Sequence, residues 1–373
     1  MVPNEMILKG NEVNTEKALT SKLISKRRRV SLPQWGTAWL VLFPALIFLT
    51  LFMIYPIINT FLSAFIQNYT YSEGAGSFAI SQFIAGIVEN DNEDLMAFGL
   101  SNFKMAMGNA TFLKSIGNTA ILVIIEVPLT IMVSLLIATF LNSIKVLKGF
   151  YQSIFFLPYV TNTIALGLVF NIVFSNSSGG LANLLISRFG GKPINWLSWM
   201  SQKVEYNGET LVQAPATKLH QGVVIVLYAL WNGLAFKILV FMAGLATIDS
   251  QYYNAAKIDG ASNFTIWRRI TLPLLSPQIL YITITSFIGA FKMYTGVMAV
   301  YSDVPKVGSS NSTAYYFGGD GDDWIPVVGW IYKNLDAHKT QPGEASAASL
   351  ILLAIIMVIT AVQFAVSKKR VHY

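Results

Sequence analysis

The chain has no cysteine among its 373 residues. That excludes a disulfide framework, a thiolate metal site and a cysteine nucleophile. Histidine is nearly as scarce: His220, His338 and His372 stand far apart, which argues against a histidine metal cluster. Charge is the third shortage. Only 12% of residues are charged, against about 25% in soluble domains. No G-x-x-x-x-G-K-[ST] stretch occurs, and Gly191-Lys192 lacks both the spacing and the hydroxyl. The chain therefore carries no phosphate-cradling loop of its own.

What it has instead is apolar length. Hydrophobic residues make up 54% of the sequence, and the mean hydropathy is +0.53. A helix needs about 20 mainly apolar residues to cross the hydrocarbon. Six stretches qualify: 37–60, 118–141, 150–174, 221–245, 276–300 and 346–367. The expectation is an all-α polytopic membrane protein with six transmembrane helices. Residues 1–36 are polar and end in Lys26-Arg27-Arg28-Arg29. The first span is too long for a signal-peptide core and no small-residue cleavage site follows it, so it reads as a retained anchor.

Basic residues orient the spans. With the N-terminus inside, the inner segments hold 15 of the 26 Lys+Arg. The longer outer segments hold nine, with acids such as Glu89, Asp91, Glu93, Asp94, Asp320, Asp322 and Asp323. Both termini are then cytoplasmic. The net charge of +7 reflects this bias and does not call for nucleic acid. The chain divides into a cytoplasmic basic segment (1–36), a six-helix membrane domain (37–367) and a cytoplasmic tail (368–373).

One inner segment, 249–277, is polar and basic between two apolar spans. Ala255 and Asp259 are one helical turn apart, as are Ala256 and Gly260. They make a face with little side-chain bulk. Gly260 suits a helix end with positive φ. Asn263 to Ile270 forms a second short helix, and Pro273 and Pro277 set the start of the next span. The result is a helix–turn–helix elbow projecting from the membrane. On these features alone, a docking surface and an ordinary loop stand level.

The spacing Asn254-Ala255-Ala256, Asp259-Gly260-Ala261, Ile270-x-Leu272-Pro273 and Pro277 resembles the EAA motif of bacterial ABC importer permeases. Tyr55-Pro56, Phe61-Leu62-Ser63, Asn102-Phe103, Asn118-Thr119, Phe155-Phe156-Leu157-Pro158, Gly179 to Asn183 and Leu245-Ala246 are similar to the first permease subunit of the carbohydrate, maltose-type branch. The resemblance covers most of 38–300 and the last span. It implies that the elbow is the coupling helix seated on an ATPase subunit. It implies a second permease subunit, an ATPase dimer that holds ATP and Mg, and an extracellular solute-binding protein. Two departures stand out. The leading glutamate of the motif is Asn254, which carries no charge, and the proline usual after Ile248 is Asp249.

A sugar path needs aromatic faces and amide or hydroxyl groups in a wet cavity. Tyr159, Asn162, Asn171, Tyr228, Trp231, Asn232 and Tyr294 are the candidates. Such residues also join membrane helices to one another. Leu181 to Ile186, with Trp196 and Trp199, reads as an amphipathic piece at the headgroup level. Gly318 to Asp323 (GGDGDD) matches no calcium loop and reads as solvated outer loop.

Three charges fall within spans: Glu126, Lys237 and Lys292. At 1.5 Å per residue, a second span starting at 118 puts Glu126 about 12 Å below its outer end, and Lys292 falls at a similar depth. Lys237 falls near 24 Å by the same rise. The expectation is a Glu126–Lys292 pair. The expected function is the permease subunit of an ATP-driven importer for a sugar or oligosaccharide, with no catalytic residue. A glycerol-phosphate-type polyol ester is the alternative substrate. An ion-coupled secondary transporter is the rival class, disfavoured by the lack of a clear repeat and of further carboxylates in the spans.

Overall fold

A computed structural model describes residues 34–66, 98–144, 146–176, 179–198, 201–206, 208–301, 324–335 and 342–367. The GGDGDD stretch, Trp199 and both terminal segments lie outside the described residues.

The fold is helical. The first span, α1 (Ala38–Phe65), contains a π turn at Thr50–Ile54. The chain up to Thr60 is a unit of its own. None of its most apolar window is buried, as in a helix solvated by lipid or by another helix.

The rest forms one unit. α2 (Ser101–Gly108) leads into α3 (Ala110–Ser143). Asn109 starts α3 by accepting from the amides of Thr111 (3.0 Å) and Phe112 (3.3 Å), which satisfies two otherwise unpaired N–H groups. The second span thus begins eight residues earlier than its apolar run suggests. α4 (Lys148–Val160) and α5 (Thr163–Val173) replace the single third span expected over 150–174, and meet at 99°. Pro158 removes a backbone donor one turn before the break. Asn162 then caps α5 by accepting from Ile164 N at 2.8 Å.

After α6 (Leu181–Arg188) comes a small antiparallel hairpin, β1 (Gln202–Tyr206) with β2 (Glu209–Gln213). It is an addition to the expected all-helical chain. The Asn207-Gly208 pair flanked by alternating residues was its signal, and Gly208 has φ +80°. α7 (Lys218–Ala246) is the fourth span. The elbow follows as α8 (Ser250–Ile258) and α9 (Asn263–Leu274). α10 (Ser276–Phe291) is bent 66° from α9 and ends before Lys292. The fifth span expected over 276–300 is therefore interrupted, and resumes as α11 (Thr295–Tyr301). α12 (Val327–Leu335) and the last span, α13 (Pro342–Ser367), complete the described chain.

Two apolar cores lie along α3 and α7. One, toward the hairpin end, gathers Leu122, Val123, Val127, Val224, Ile225 and Tyr228 with Trp324 and Trp330. The other, toward the elbow, gathers Leu135, Ala138, Leu141, Leu234, Ile238, Phe241 and Leu275.

The hairpin end is closed by a clasp from the long segment before α13. Trp324 donates from Nε1 to the Lys218 carbonyl (2.9 Å), and the Lys218 ammonium lies 5.3 Å from the Trp324 ring centre. That ammonium also donates to Asn118 Oδ1 at 3.1 Å. Val327 N donates to the Thr119 hydroxyl at 3.0 Å. Gly222 makes room, since a Cβ there would come within 2.7 Å of the Trp324 ring.

Candidate coupling elbow and translocation path

Asp249 starts the elbow. Its carboxylate accepts from Gln251 N at 2.9 Å, so the acid found where the family carries proline is a helix cap. α8 ends at Ile258, and Gly260 takes φ +73°. Ala261 N bonds back to the Ala256 carbonyl at 2.9 Å, which closes the helix end. Ser262 caps the next helix by accepting from Thr265 N at 3.3 Å. These caps are the local reason that a polar loop becomes a defined elbow.

Asn254, Ala255, Asp259 and Gly260 are exposed, and Ala256 and Ala261 are half-exposed. Nothing stands within 4 Å of where a Gly260 Cβ would be. The expected low face is therefore present and open. Sequence reasoning missed its apolar flank: Ile258 is 87% exposed and Phe264 66%, beside an exposed Tyr252. The elbow is fixed to the bundle from its other side. Trp267 Nε1 donates to Thr139 on α3 (3.4 Å), Tyr253 and Thr271 hydroxyls meet at 3.3 Å, and Ile266 and Leu275 are buried. Ile270 and Leu272 are half-buried, Pro273 is exposed and Pro277 opens α10.

The path candidates divide into two groups. Tyr228 is 1% exposed; its hydroxyl donates to the Thr163 carbonyl at 3.3 Å, and Phe170 packs edge-on against it. It joins α7 to α5 and does not line a wet cavity. Asn171 donates to the Val300 carbonyl at 2.8 Å, which joins α5 to α11. Asn162 caps α5 while exposed. Tyr294 packs on Tyr332 with centroids 5.0 Å apart. Tyr159 and Trp231 are exposed, and Asn232 is half-exposed. Tyr159 stacks on Phe236 at 6.0 Å. One turn toward the elbow, a cavity of about 460 Å³ opens between α4 and α7, lined by Gln152, Ser153, Phe156, Ala235, Leu239 and Met242 among others.

Trp196 is half-buried in the loop that follows α6. Its Nε1 donates to the Asn183 side chain at 3.0 Å, and fully buried Asn183 also donates to the Ile194 carbonyl at 2.9 Å. The tryptophan is tied into the loop fold by this bond.

The expected charge pair is corrected. Lys292 is exposed and caps the end of α10. Glu126 meets Lys237 instead: Nζ lies 3.7 Å from Oε1, with both side chains buried. Two errors of depth cancelled this pair in the sequence. Starting α3 at Ala110 lowers Glu126 by eight residues, about 12 Å. The lysine stem also points back toward the helix N-terminus, one turn up α7.

The comparisons decide the family. A model described as binding-protein-dependent transport system inner membrane component matches residues 105–372. The chain belongs to that family. It is a transport permease of the ABC importer class and not an enzyme. The arabinooligosaccharides transport system permease protein AraP of Bacillus subtilis (strain 168) is 28% identical over 331 residues, 87% of this chain and 86% of AraP. The lactose transport system permease protein LacF of Rhizobium radiobacter is 25% identical over 338 residues, 89% of this chain and 94% of LacF. A chain in the crystal structure of a bacterial ABC transporter that imports the acidic polysaccharide alginate superposes with a TM-score of 0.65 at 17% identity. That likeness covers 90% of this chain and 96% of the other, and shows the fold.

Proposed function

We propose that this permease passes a neutral oligosaccharide and is driven through its elbow by a separate ATPase. The carrying observation is the elbow: a capped, rigid projection whose small-residue face and flanking Ile258 and Phe264 are exposed. An apolar patch beside a flat face marks a partner surface. Asn254, Ala255, Ala256, Asp259, Gly260 and Ala261 form the contact, while Ile270, Leu272, Pro273 and Pro277 set its angle to the membrane. On this reading the elbow and both termini are cytoplasmic, and the hairpin end faces a solute-binding protein. ATP and Mg belong to the ATPase dimer, and a second permease subunit supplies the other wall of the path. The segments 1–36, 37–367 and 368–373 keep the roles given above.

A neutral solute is favoured over a polyol phosphate by the Glu126–Lys237 pair. Lys237 is neutralised inside the core, which removes from the path one of the two intramembrane cations that an anion would use. The relatives named for arabinooligosaccharides and lactose point the same way. Tyr159, Trp231 and Asn232, with the cavity below them, offer the aromatic faces and amides that sugars need.

The test is ATP-driven uptake in vesicles that contain the complete importer. Labelled arabinooligosaccharide should enter and glycerol 3-phosphate should not; the reverse outcome overturns the substrate reading. The purified chain alone should show no saturable ATP binding, and clear binding would overturn the division of labour.

A further inference from the structure

A polar level lies at the boundary of the two apolar cores along α3 and α7, with half-buried Ile131 packed against both. Val127 belongs to one core and Leu135 to the other, and on α7 the change falls between Ala229 and Leu234. Glu126 and Lys237 meet at that level. The Thr130 hydroxyl lies there too, 3.4 Å from Glu126 Oε1. Gly233 completes it. A Cβ at 233 would stand 2.8 Å from Lys237 Nζ, 3.3 Å from Thr130 Cγ2 and 3.6 Å from Glu126 Oε1. The missing side chain is the space through which the lysine reaches back one turn to the acid.

Apolar packing is non-directional. Two long apolar helices that slip past each other by a turn, about 5.4 Å, still bury apolar surface against apolar surface. A buried charge pair does not tolerate that slip, because it would leave two uncompensated charges; setting register is the best-attested use of such pairs. The register of α7 matters beyond the bundle. α7 ends at Ala246, and Asp249 already caps the elbow.

We propose that Glu126, Lys237 and Gly233 form a register joint that holds α3 and α7 in step at the boundary of the two cores, making all three positioning residues for the transport cycle. The consequence for transport rests on the importer reading; the joint itself does not. Neither helix face that carries the joint opens on the cavity, so its role is to keep the elbow at a fixed height relative to α3.

The absence of native cysteine permits a direct test. Spin labels at Ser143→Cys and Thr247→Cys, both exposed, report the separation of the elbow ends of α3 and α7 by pulsed dipolar spectroscopy. The measurement uses the complete importer with cysteine-free partners. The parent should give one narrow distance. Gly233→Ala, which changes no charge, and Glu126→Gln should broaden this distribution or move its maximum, as α7 slips along α3 by about one turn, 5.4 Å. The exchanged pair Glu126→Lys with Lys237→Glu should restore the parent distance. If Gly233→Ala and Glu126→Gln lower the melting temperature while the distance stays as in the parent, the pair only packs and the joint is refuted. If Glu126→Gln does not assemble, Gly233→Ala and the double variant Glu126→Gln with Lys237→Gln carry the same decision. A failed importer reading would appear separately, as parent complexes that show no ATP-driven uptake.

Discussion

The clasp and the elbow are both tryptophan-containing segments that join apolar helices, yet they treat their surfaces in opposite ways. In the clasp, Trp324, Ile325, Val327, Trp330 and Ile331 are buried, and the indole and amide donors of Trp324 and Val327 have partners within the chain. In the elbow, Trp267 and Ile266 hold to the bundle while Tyr252, Ile258 and Phe264 stay exposed. The clasp is complete within one chain. The elbow has one face built for this chain and one left open. Surface chemistry therefore separates a segment spent wholly on the fold from a segment with one face left open, although both join apolar spans.

The contrast predicts that clasp substitutions lower stability with docking intact, and elbow substitutions do the reverse. The largest effect falls on Trp324→Ala. It removes a buried ring and the indole bond to the Lys218 carbonyl, and should cost about 3–5 kcal/mol. Thermal unfolding of the detergent-purified chain reads this, and an unchanged midpoint would dissolve the clasp. Next comes Gly260→Arg. The open space accepts the side chain, and the positive φ costs about 1–2 kcal/mol, so the fold persists. Loss of a central contact should weaken ATPase association by about 2 kcal/mol or more, roughly thirtyfold. Co-purification that matches the parent would remove the elbow from the interface.

Thr119→Val is a finer probe of the clasp. It leaves the buried Val327 N–H without an acceptor, at about 1–3 kcal/mol, and should lower the unfolding midpoint without changing ATPase co-purification. The smallest effect is expected for Ser262→Ala, which removes the cap of α9 at about 1 kcal/mol. Because that cap orients the exposed Phe264, the loss should be seen as weaker ATPase binding before any change in global unfolding. Equal changes in both readouts would blur the distinction.

What could be read in advance follows the range of the interactions involved. The elbow was legible because its causes are local: Gly260 for the positive φ and prolines at 273 and 277. The spans were legible from apolar length. Their breaks were less so, because Pro158 and Asn162 interrupt hydrogen bonding without interrupting hydropathy. The start of α3 was hidden for the opposite reason. Lys114, Ser115 and Gly117 lower the hydropathy of a stretch that Asn109 already caps as helix. That displacement, together with the backward reach of the lysine stem, hid the Glu126–Lys237 pair. Tyr228 and Asn171 were chosen for residue type, and type alone does not tell a wet wall from a joint. Only the contacts with Thr163 and Val300 do.

The two broken spans meet at glycine. The room a Cβ would need at Gly296 is held by the Tyr228 hydroxyl, and at Gly167 a Cβ would stand 2.5 Å from Ala299 Cβ. With glycine at 167, α5 and α11 approach closely over Ala299, so the half-spans beyond the breaks form one block. On the near side, α4 and α10 remain as arms of 13 and 16 residues, about 20 and 24 Å long. The breaks at 161–162 and 292–294 are the points about which such arms would turn. A tilt of about 10° about such a pivot carries the far end of the longer arm about 4 Å, close to the rise of three helical residues. A displacement of that size at the elbow needs no unfolding of either helix, only a change of angle at joints the chain already has.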